Sequence, residues 1–158
     1  MEMDGTRVIA ADRATVWEKL NDAETLKACI PGCSDLTGNP DDGFEAVVTQ
    51  KVGPVKATFK GAVQLSNVVP GQSYTISGEG KGGVAGFANG GADVSLADVE
   101  GGTELTYAVK AKVGGKLAQL GNRIISGFAR KMADQFFDRF QAEVEGGGSD
   151  QAEDTATA

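Results

Sequence analysis

Histidine is absent from this 158-residue chain. With it go the commonest general base at neutral pH, every Ser–His or Cys–His nucleophile pair and the usual zinc hydrolase motifs. Only two cysteines occur, in the run Cys29-Ile-Pro-Gly-Cys33. Their spacing has one residue more than a thioredoxin-like motif, and two thiols alone cannot complete a tetrahedral zinc site. The plainer reading is two reduced thiols beside a turn set by Pro31 and Gly32. Aromatic residues make up only 6% of the chain, so few bulky groups are available to fill an interior. No apolar run approaches the roughly 20 residues needed to cross a bilayer. The start, Met-Glu-Met-Asp-Gly, has neither the basic nor the apolar region of a secretory signal, so a cytoplasmic setting is expected.

What is present is glycine, at 23 positions, and acid, with 22 Asp and Glu against 15 Lys and Arg. The acidity is uneven. Residues 141–158 hold Glu143, Glu145, Asp150, Glu153 and Asp154 and no base, which leaves 15 basic against 17 acidic side chains over 1–140. A nearly neutral body with no dense basic footprint argues against nucleic acid. Length and apolar content fit one globular domain, expected over 1–145, with a disordered acidic tail over 146–158.

Periodicity divides that domain into three parts. A short strand over Met3 to Ala10 is followed by Asp12, a plausible N-cap, and by Val16, Trp17 and Leu20 at helical spacing. A second short helix over about 24–28 stops at Ile30-Pro31-Gly32. From Ser34 the period becomes two. Val55, Ala57, Phe59, Gly61, Val63 and Leu65 alternate with Lys56, Thr58, Lys60, Ala62, Gln64 and Ser66, and Leu105 to Val113 repeats the pattern. Further strands are expected over 44–51, 73–80 and 86–99. Turns at Gly53-Pro54, Pro70-Gly71 and Gly101-Gly102 are too short for parallel crossovers, so the strands must pair antiparallel. After Gly114-Gly115 the apolar residues Leu117, Leu120, Ile124, Phe128, Met132, Phe136 and Phe140 recur every three or four positions. The spacing predicts one long amphipathic helix from Lys116 to about Ala142, lying across the apolar face of the sheet in a two-layer α+β domain.

The inner faces are short of side-chain bulk. Ala46, Ala57, Gly61, Gly78 and Gly80 fall on the inward parity of the sheet, and Gly121 falls near the centre of the helix's apolar arc. Glycine in a helix interior costs about 1 kcal/mol relative to alanine. Its presence there points either to close helix–sheet contact or to an elongated apolar cavity suited to a hydrophobic small molecule. For the cavity, Phe59, Tyr107, Leu117, Gly121, Ile124 and Phe128 are the candidate lining, and Val84 and Phe87 are the candidate gate on a long flexible hairpin over 78–91. Within that hairpin Gly78, Gly80 and Gly83 match G-x-G-x-x-G, but a dinucleotide site needs a buried parallel strand before the motif and a helix after it. Between Leu105 and Ala133 every charged side chain is basic. Lys116, Arg123 and Arg130, with Lys131, form a stripe that is either a solvated helix face or a contact for anionic lipid heads or an acidic partner.

Four segments carry a resemblance. Cys29-Ile-Pro-Gly, Gly80-Lys-Gly-Gly-Val-Ala-Gly-Phe-Ala, Val113-Gly-Gly-Lys-Leu-Ala-Gln-Leu-Gly and Phe136-Phe-Asp-Arg-Phe are similar to the carbon monoxide dehydrogenase CoxG family, within the START/SRPBCC-like helix-grip superfamily, over about residues 1–142. The resemblance implies a curved antiparallel sheet of about seven strands gripping a long C-terminal helix, with two short helices after the first strand. It also implies a non-catalytic accessory of the molybdenum-containing aerobic carbon monoxide dehydrogenase at the cytoplasmic membrane face. In that setting an apolar cavity would hold a membrane quinone such as menaquinone, or another isoprenoid or lipid, as a non-covalent ligand. The alternatives are a cyclase or hydratase on the same fold, for which the inward faces offer little beyond Tyr74 and Tyr107, and a ligand-free maturation or recruitment factor.

Overall fold

A computed structural model describes residues 1–157, with side chains described through Gly146. Beyond its first residue, the expected disordered tail lies outside the described side chains. The chain runs β1 (Glu2–Ile9), α1 (Arg13–Leu20), α2 (Ala23–Cys29), β2 (Cys33–Asn39), β3 (Gly43–Val52), β4 (Val55–Val69), β5 (Ser73–Lys81), a 3₁₀ turn (Gly83–Ala85), β6 (Phe87–Val99), β7 (Gly102–Gly114), α3 (Lys116–Gln119) and α4 (Asn122–Thr157). No helix is long and apolar enough to cross a membrane among the described residues.

All seven strands pair antiparallel in the order β1-β7-β6-β5-β4-β3-β2. Alternation fixes the faces: along β4, Val55 to Leu65 turn every second side chain inward while the intervening polar and small residues are exposed. Because β1 joins the sheet beside the last strand, the α1–α2 pair must carry the chain from one edge to the other. Two aspartates start those helices. Asp12 accepts from the Thr15 amide at 2.8 Å, and Asp22 accepts from the Thr25 amide at 3.0 Å and its hydroxyl at 2.6 Å. Proline at position 31 disfavours helical backbone at Ile30, and α2 ends there.

α4 lies across the inner face and is tied to β1. The Arg7 guanidinium pairs with Asp138 at 2.7 Å, Gln141 Nε2 donates to the Val8 carbonyl at 3.2 Å, and the Arg130 guanidinium donates to the Asp4 carbonyl at 3.1 Å. Phe140 is fully buried, and Phe137 stacks on Tyr107 with ring centroids 4.9 Å apart. This is the helix-grip architecture.

Two local expectations are corrected. Lys116 to Ala142 is not one helix: α3 closes after a single turn, the Gly121 amide donates to the Ala118 carbonyl at 3.4 Å, and Gly121 takes φ +87°. A left-handed residue terminates a helix, and glycine adopts that backbone without steric cost. The break shifts the helical phase, so α4 buries Ile125 and leaves Ile124 42% exposed. The long hairpin over 78–91 is also replaced. β5 stays paired through Lys81 and β6 begins at Phe87, leaving a five-residue turn, and the ladder holds Gly78, Gly80, Gly90 and Gly91 in strands while Gly82, Gly83 and Gly86 make the turn.

A candidate ligand-binding cavity

A domain of this size ordinarily has one contiguous apolar core. Here the buried residues form two clusters. The larger joins Ile9, Val16, Leu20, Leu105, Tyr107, Phe137, Phe140 and Val144 under α1, and the smaller joins Val52, Leu117 and Ile125 beside α3. Between α4 and the sheet, the space is occupied by two adjoining chambers.

The first, of about 460 Å³, opens at the α3 end and is walled by Met1, Val52, Phe59, Val113, Leu117, Ile125, Phe128 and Met132. The second, of about 370 Å³, is more enclosed and reaches under α1 and α2, where Leu20, Asn21, Leu36, Phe44, Tyr74 and Phe137 line it. Met3, Ile30, Val109, Ala133 and Phe136 border both, so the two chambers adjoin.

Sheet register explains the room. Ala46, Gly61, Gly80 and Ala88 are cross-strand partners on β3, β4, β5 and β6, a row of four small residues running across the floor from one chamber into the other. A Cβ placed on Gly61 would come no nearer than 3.5 Å to any atom, and one on Gly80 no nearer than 4.0 Å. Gly78 differs: Val63 packs so closely that a Cβ there would lie 2.5 Å from its Cγ1.

The predicted site residues separate into two groups. Phe59, Leu117 and Phe128 line the open chamber and Tyr107 lines the deep one. Val84, Phe87, Gly121 and Ile124 lie outside both, at the open end. Val84 is 86% exposed at the tip of the β5–β6 turn, Phe87 covers Gly114, and Ile124 packs near Gly53 in the β3–β4 turn. Nothing lies within 4 Å of a Cβ built on Gly121, so it borders open space and its glycine serves the backbone turn. Sequence reasoning missed Met1, Met3 and Ile125. Extending the period-two parity of β1 back to Met1 would have found the methionines.

The walls are almost wholly apolar. Their polar side chains, among the described residues, are Gln50, Asn21, Tyr74 and Tyr107. Gln50 Nε2 donates to the Pro31 carbonyl at 2.6 Å, tying β3 to the turn after α2. The Tyr107 ring passes beneath Gly5, where any Cβ would overlap its hydroxyl, and that oxygen accepts from Arg130 Nη1 at 3.3 Å. Tyr74 is buried edge-on against Trp17 at 5.3 Å, and desolvation raises its pKa above the ordinary tyrosine range. Burial likewise pushes the Cys29 thiol up to about 11, with Glu143 adding to the rise and Arg139 opposing it. Both cysteines are free thiols, and no group of three or more metal-ligating side chains occurs among the described residues.

Charge is segregated along the strands. The turns and strand ends at the open end carry Lys51, Lys56, Lys81, Lys112 and Lys116, with Glu79 level with Lys112, and those at the other end carry Asp12, Asp41, Asp42, Asp98 and Glu100, with Arg13 paired to Asp98. Lys51, Arg123 and Lys131 share a shallow depression with Ile124 and Phe128 on the outside of α4. Arg130, one heptad after Arg123 on α4, turns its guanidinium instead to the Asp4 carbonyl of β1 and to Tyr107.

Comparison with known proteins places this geometry. None of the curated proteins matches the chain in sequence. Among solved structures, a conserved protein from Geobacillus kaustophilus is 29% identical with a TM-score of 0.85, covering 92% of this chain and 95% of its own. A protein from Chromobacterium violaceum superposes with a TM-score of 0.67 at 16% identity, covering 91% of this chain and 96% of its own. A Thermus thermophilus protein gives 0.68 at 11% identity, covering 93% and 99%, and these two similarities concern the fold alone. The family model for CoxG, a carbon monoxide dehydrogenase subunit, matches residues 5–145, and the chain therefore belongs to the CoxG family.

Proposed function

We propose that the protein is a non-catalytic carrier of a hydrophobic small molecule, an isoprenoid quinone of the menaquinone class, serving an aerobic molybdenum carbon monoxide dehydrogenase at the inner face of the cell membrane. The observation that carries the reading is the division of the core by an elongated apolar cavity whose floor is a row of small residues. A well-packed domain would fill that space, whereas a ligand site of several hundred Å³ with apolar walls and few polar groups suits an isoprenoid. Membership of the CoxG family supports the link to the dehydrogenase. The cationic, apolar-studded open end supports docking at anionic lipid, where each Lys or Arg contributes about 1 kcal/mol.

The cyclase or hydratase reading has little to work with. Acid–base catalysis needs a positioned group that titrates near the operating pH. The cavity walls offer two amides and two tyrosines, of which Tyr74 has its pKa raised by desolvation.

Lipid extraction and mass spectrometry of protein purified from its native host tests the carrier reading, together with titration by a short-tailed naphthoquinone. Recovery of an isoprenoid at near-stoichiometric amount is the expected result. Repeated recovery of nothing, with no binding of the naphthoquinone at micromolar concentration, would sink it.

A further inference from the structure

Two pairs of lysines face each other at the open end of the sheet. Lys51 and Lys56 are cross-strand partners on either side of the β3–β4 turn, and Lys60 and Lys81 are partners where β5 ends. All four are exposed and alternate with inward residues, so each pair shares the outer face. Like charges placed directly opposite are destabilising. Glu45 and Glu79, one same-face row away from Lys60 and Lys81, form no ion pair with them; the three ion pairs among the described residues use Arg7, Arg13 and Lys110. The fold thus keeps a repulsion that an anion supplied from outside would relieve.

An apolar side chain projects from the same end. Val84 is the most exposed large hydrophobic residue among those described. Its turn is held firmly: the Gly82 amide donates to the Gly86 carbonyl at 2.8 Å, Ala85 is buried, and Gly82 lies over the Phe59 ring. Gly86 packs on the Gly114–Gly115 backbone that leads into α3. The turn therefore holds Val84 outward. Ile124, also exposed, packs near Gly53, between Lys51 and Lys56 in the β3–β4 turn.

Cations around projecting apolar groups fit a surface that is anionic outside and apolar beneath, which is a bilayer. An acidic protein fits less well. Protein interfaces are enriched in Arg, Tyr and Trp and depleted in Lys, whereas the cations on these turns and strand ends are lysines, and Trp17, Tyr74 and Tyr107 all belong to the larger core cluster. We propose that the open end is a bilayer-docking face: Val84 and Ile124 enter the boundary between head groups and acyl chains while Lys51, Lys56, Lys60 and Lys81 meet anionic head groups. This rests on the carrier reading above and adds the inserting residues and the orientation. The mouth of the open chamber meets the bilayer, so an apolar ligand passes between the two without crossing water.

The experiment is sedimentation of the full chain with vesicles of phosphatidylcholine alone and of equal parts phosphatidylcholine and phosphatidylglycerol. Binding is expected to the mixed vesicles and to fall with added salt. Lys60→Gln removes one cation and one repulsion, so it is expected to weaken vesicle binding about fivefold while raising Tm by roughly 1–4 °C. Val84→Ser is expected to lose about tenfold in vesicle affinity with Tm unchanged. Val68→Ser, at an exposed valine near the far end of β4, is expected to change neither. In Val84→Trp, brominated acyl chains are expected to quench the added indole, with the unmodified protein giving the background from Trp17, its one tryptophan.

Equal binding to the two vesicle types, or Val84→Ser binding at full strength, would overturn the docking face. Binding to neither type would overturn it too and leave the lysines to an acidic protein partner. A lower Tm in Lys60→Gln would overturn the repulsion, and no quenching in Val84→Trp would overturn the insertion. If the short-tailed naphthoquinone still binds in any of these cases, the carrier reading stands. Vesicle binding as expected with no uptake of the naphthoquinone removes the carrier and leaves the docking face.

Discussion

Replacing Gly80 with valine tests whether the space above the small-residue row belongs to a ligand. Gly80 lies in a paired strand without a left-handed backbone, and a Cβ built there meets no atom nearer than 4.0 Å, so Gly80→Val introduces no clash. Leaving glycine behind in a strand recovers about 0.5–1 kcal/mol of chain entropy. Full burial of a valine is worth about 1.5–3 kcal/mol, of which a half-filled cavity realises only part. We therefore expect the ligand-free protein to gain about 1–2 kcal/mol, a rise in Tm of roughly 3–8 °C for a domain of this length. The ligand is affected in the opposite sense. A valine rising from the floor where the chambers meet displaces about one isoprene unit, and at about 0.8 kcal/mol per buried CH₂ this forfeits some 3–4 kcal/mol, more than a hundredfold in Kd. Gly121→Leu supplies the contrast. A leucine at φ +87° is strained by roughly 1–2 kcal/mol, so Tm falls, while affinity stays within about twofold because Gly121 borders neither chamber. Calorimetry with Trp17 quenching titrations reads both quantities. A Gly80→Val protein that binds normally, or that is destabilised by more than about 1 kcal/mol, would refute this account of the row.

Three further outcomes follow from specific contacts. Gly5→Ala pushes a methyl group into the Tyr107 hydroxyl, 2.5 Å from the Cβ position; it should destabilise the protein by about 1–3 kcal/mol by overpacking, and a melting curve unchanged within 1 °C would contradict the placement of that ring. Native protein at pH 8 should take up one equivalent of iodoacetamide, at partly exposed Cys33, and two after denaturation, because Cys29 is buried and its thiol is held up to about 11. The sign for stability follows: a raised pKa favours the neutral thiol in the fold, so this contribution is complete below about pH 9 and is lost as pH rises towards 11. Reversing Lys51, Arg123 and Lys131 to glutamate should weaken binding to anionic liposomes by more than a hundredfold at about 1 kcal/mol per lost cation, and binding that ignores both the reversal and added salt would place docking elsewhere.

Much of the architecture was legible because its signals are local. Period two along Val55 to Leu65, the Gly-Pro and Pro-Gly turns and the aspartate cap at position 12 each act within a few residues, and together they dictate an antiparallel sheet, short early helices and a covering helix. The helix break escaped for a physical reason. Leu117, Leu120, Ile124 and Phe128 keep helical spacing straight through Gly121, and nothing in that spacing separates a glycine inside a helix from one that ends it by turning left-handed. Once the phase slips there, Ile125 faces inward and Ile124 outward. The same slip separates Lys116, in α3, from Arg123 and Arg130, which stay seven residues apart on α4.

The site was half legible, and the division follows the range of the information. Phe59, Leu117 and Phe128 line the cavity because a strand or helix face is set within one element. The emptiness above them is set by pairing. Gly61 and Gly80 fall on the inward parity of their own strands, but each alone is compatible with close packing, as Gly78 against Val63 demonstrates. Only the register that aligns Ala46, Gly61, Gly80 and Ala88 turns four ordinary small residues into a trough, and that register depends on three separate turns closing with fixed lengths. A one-residue change in the β4–β5 or β5–β6 turn would flip the inward parity of a strand, bring Glu79 or Lys81 to the floor and close the trough. Indels in those turns should therefore remove ligand binding more completely than most point substitutions in the cavity wall, even where the sheet still forms.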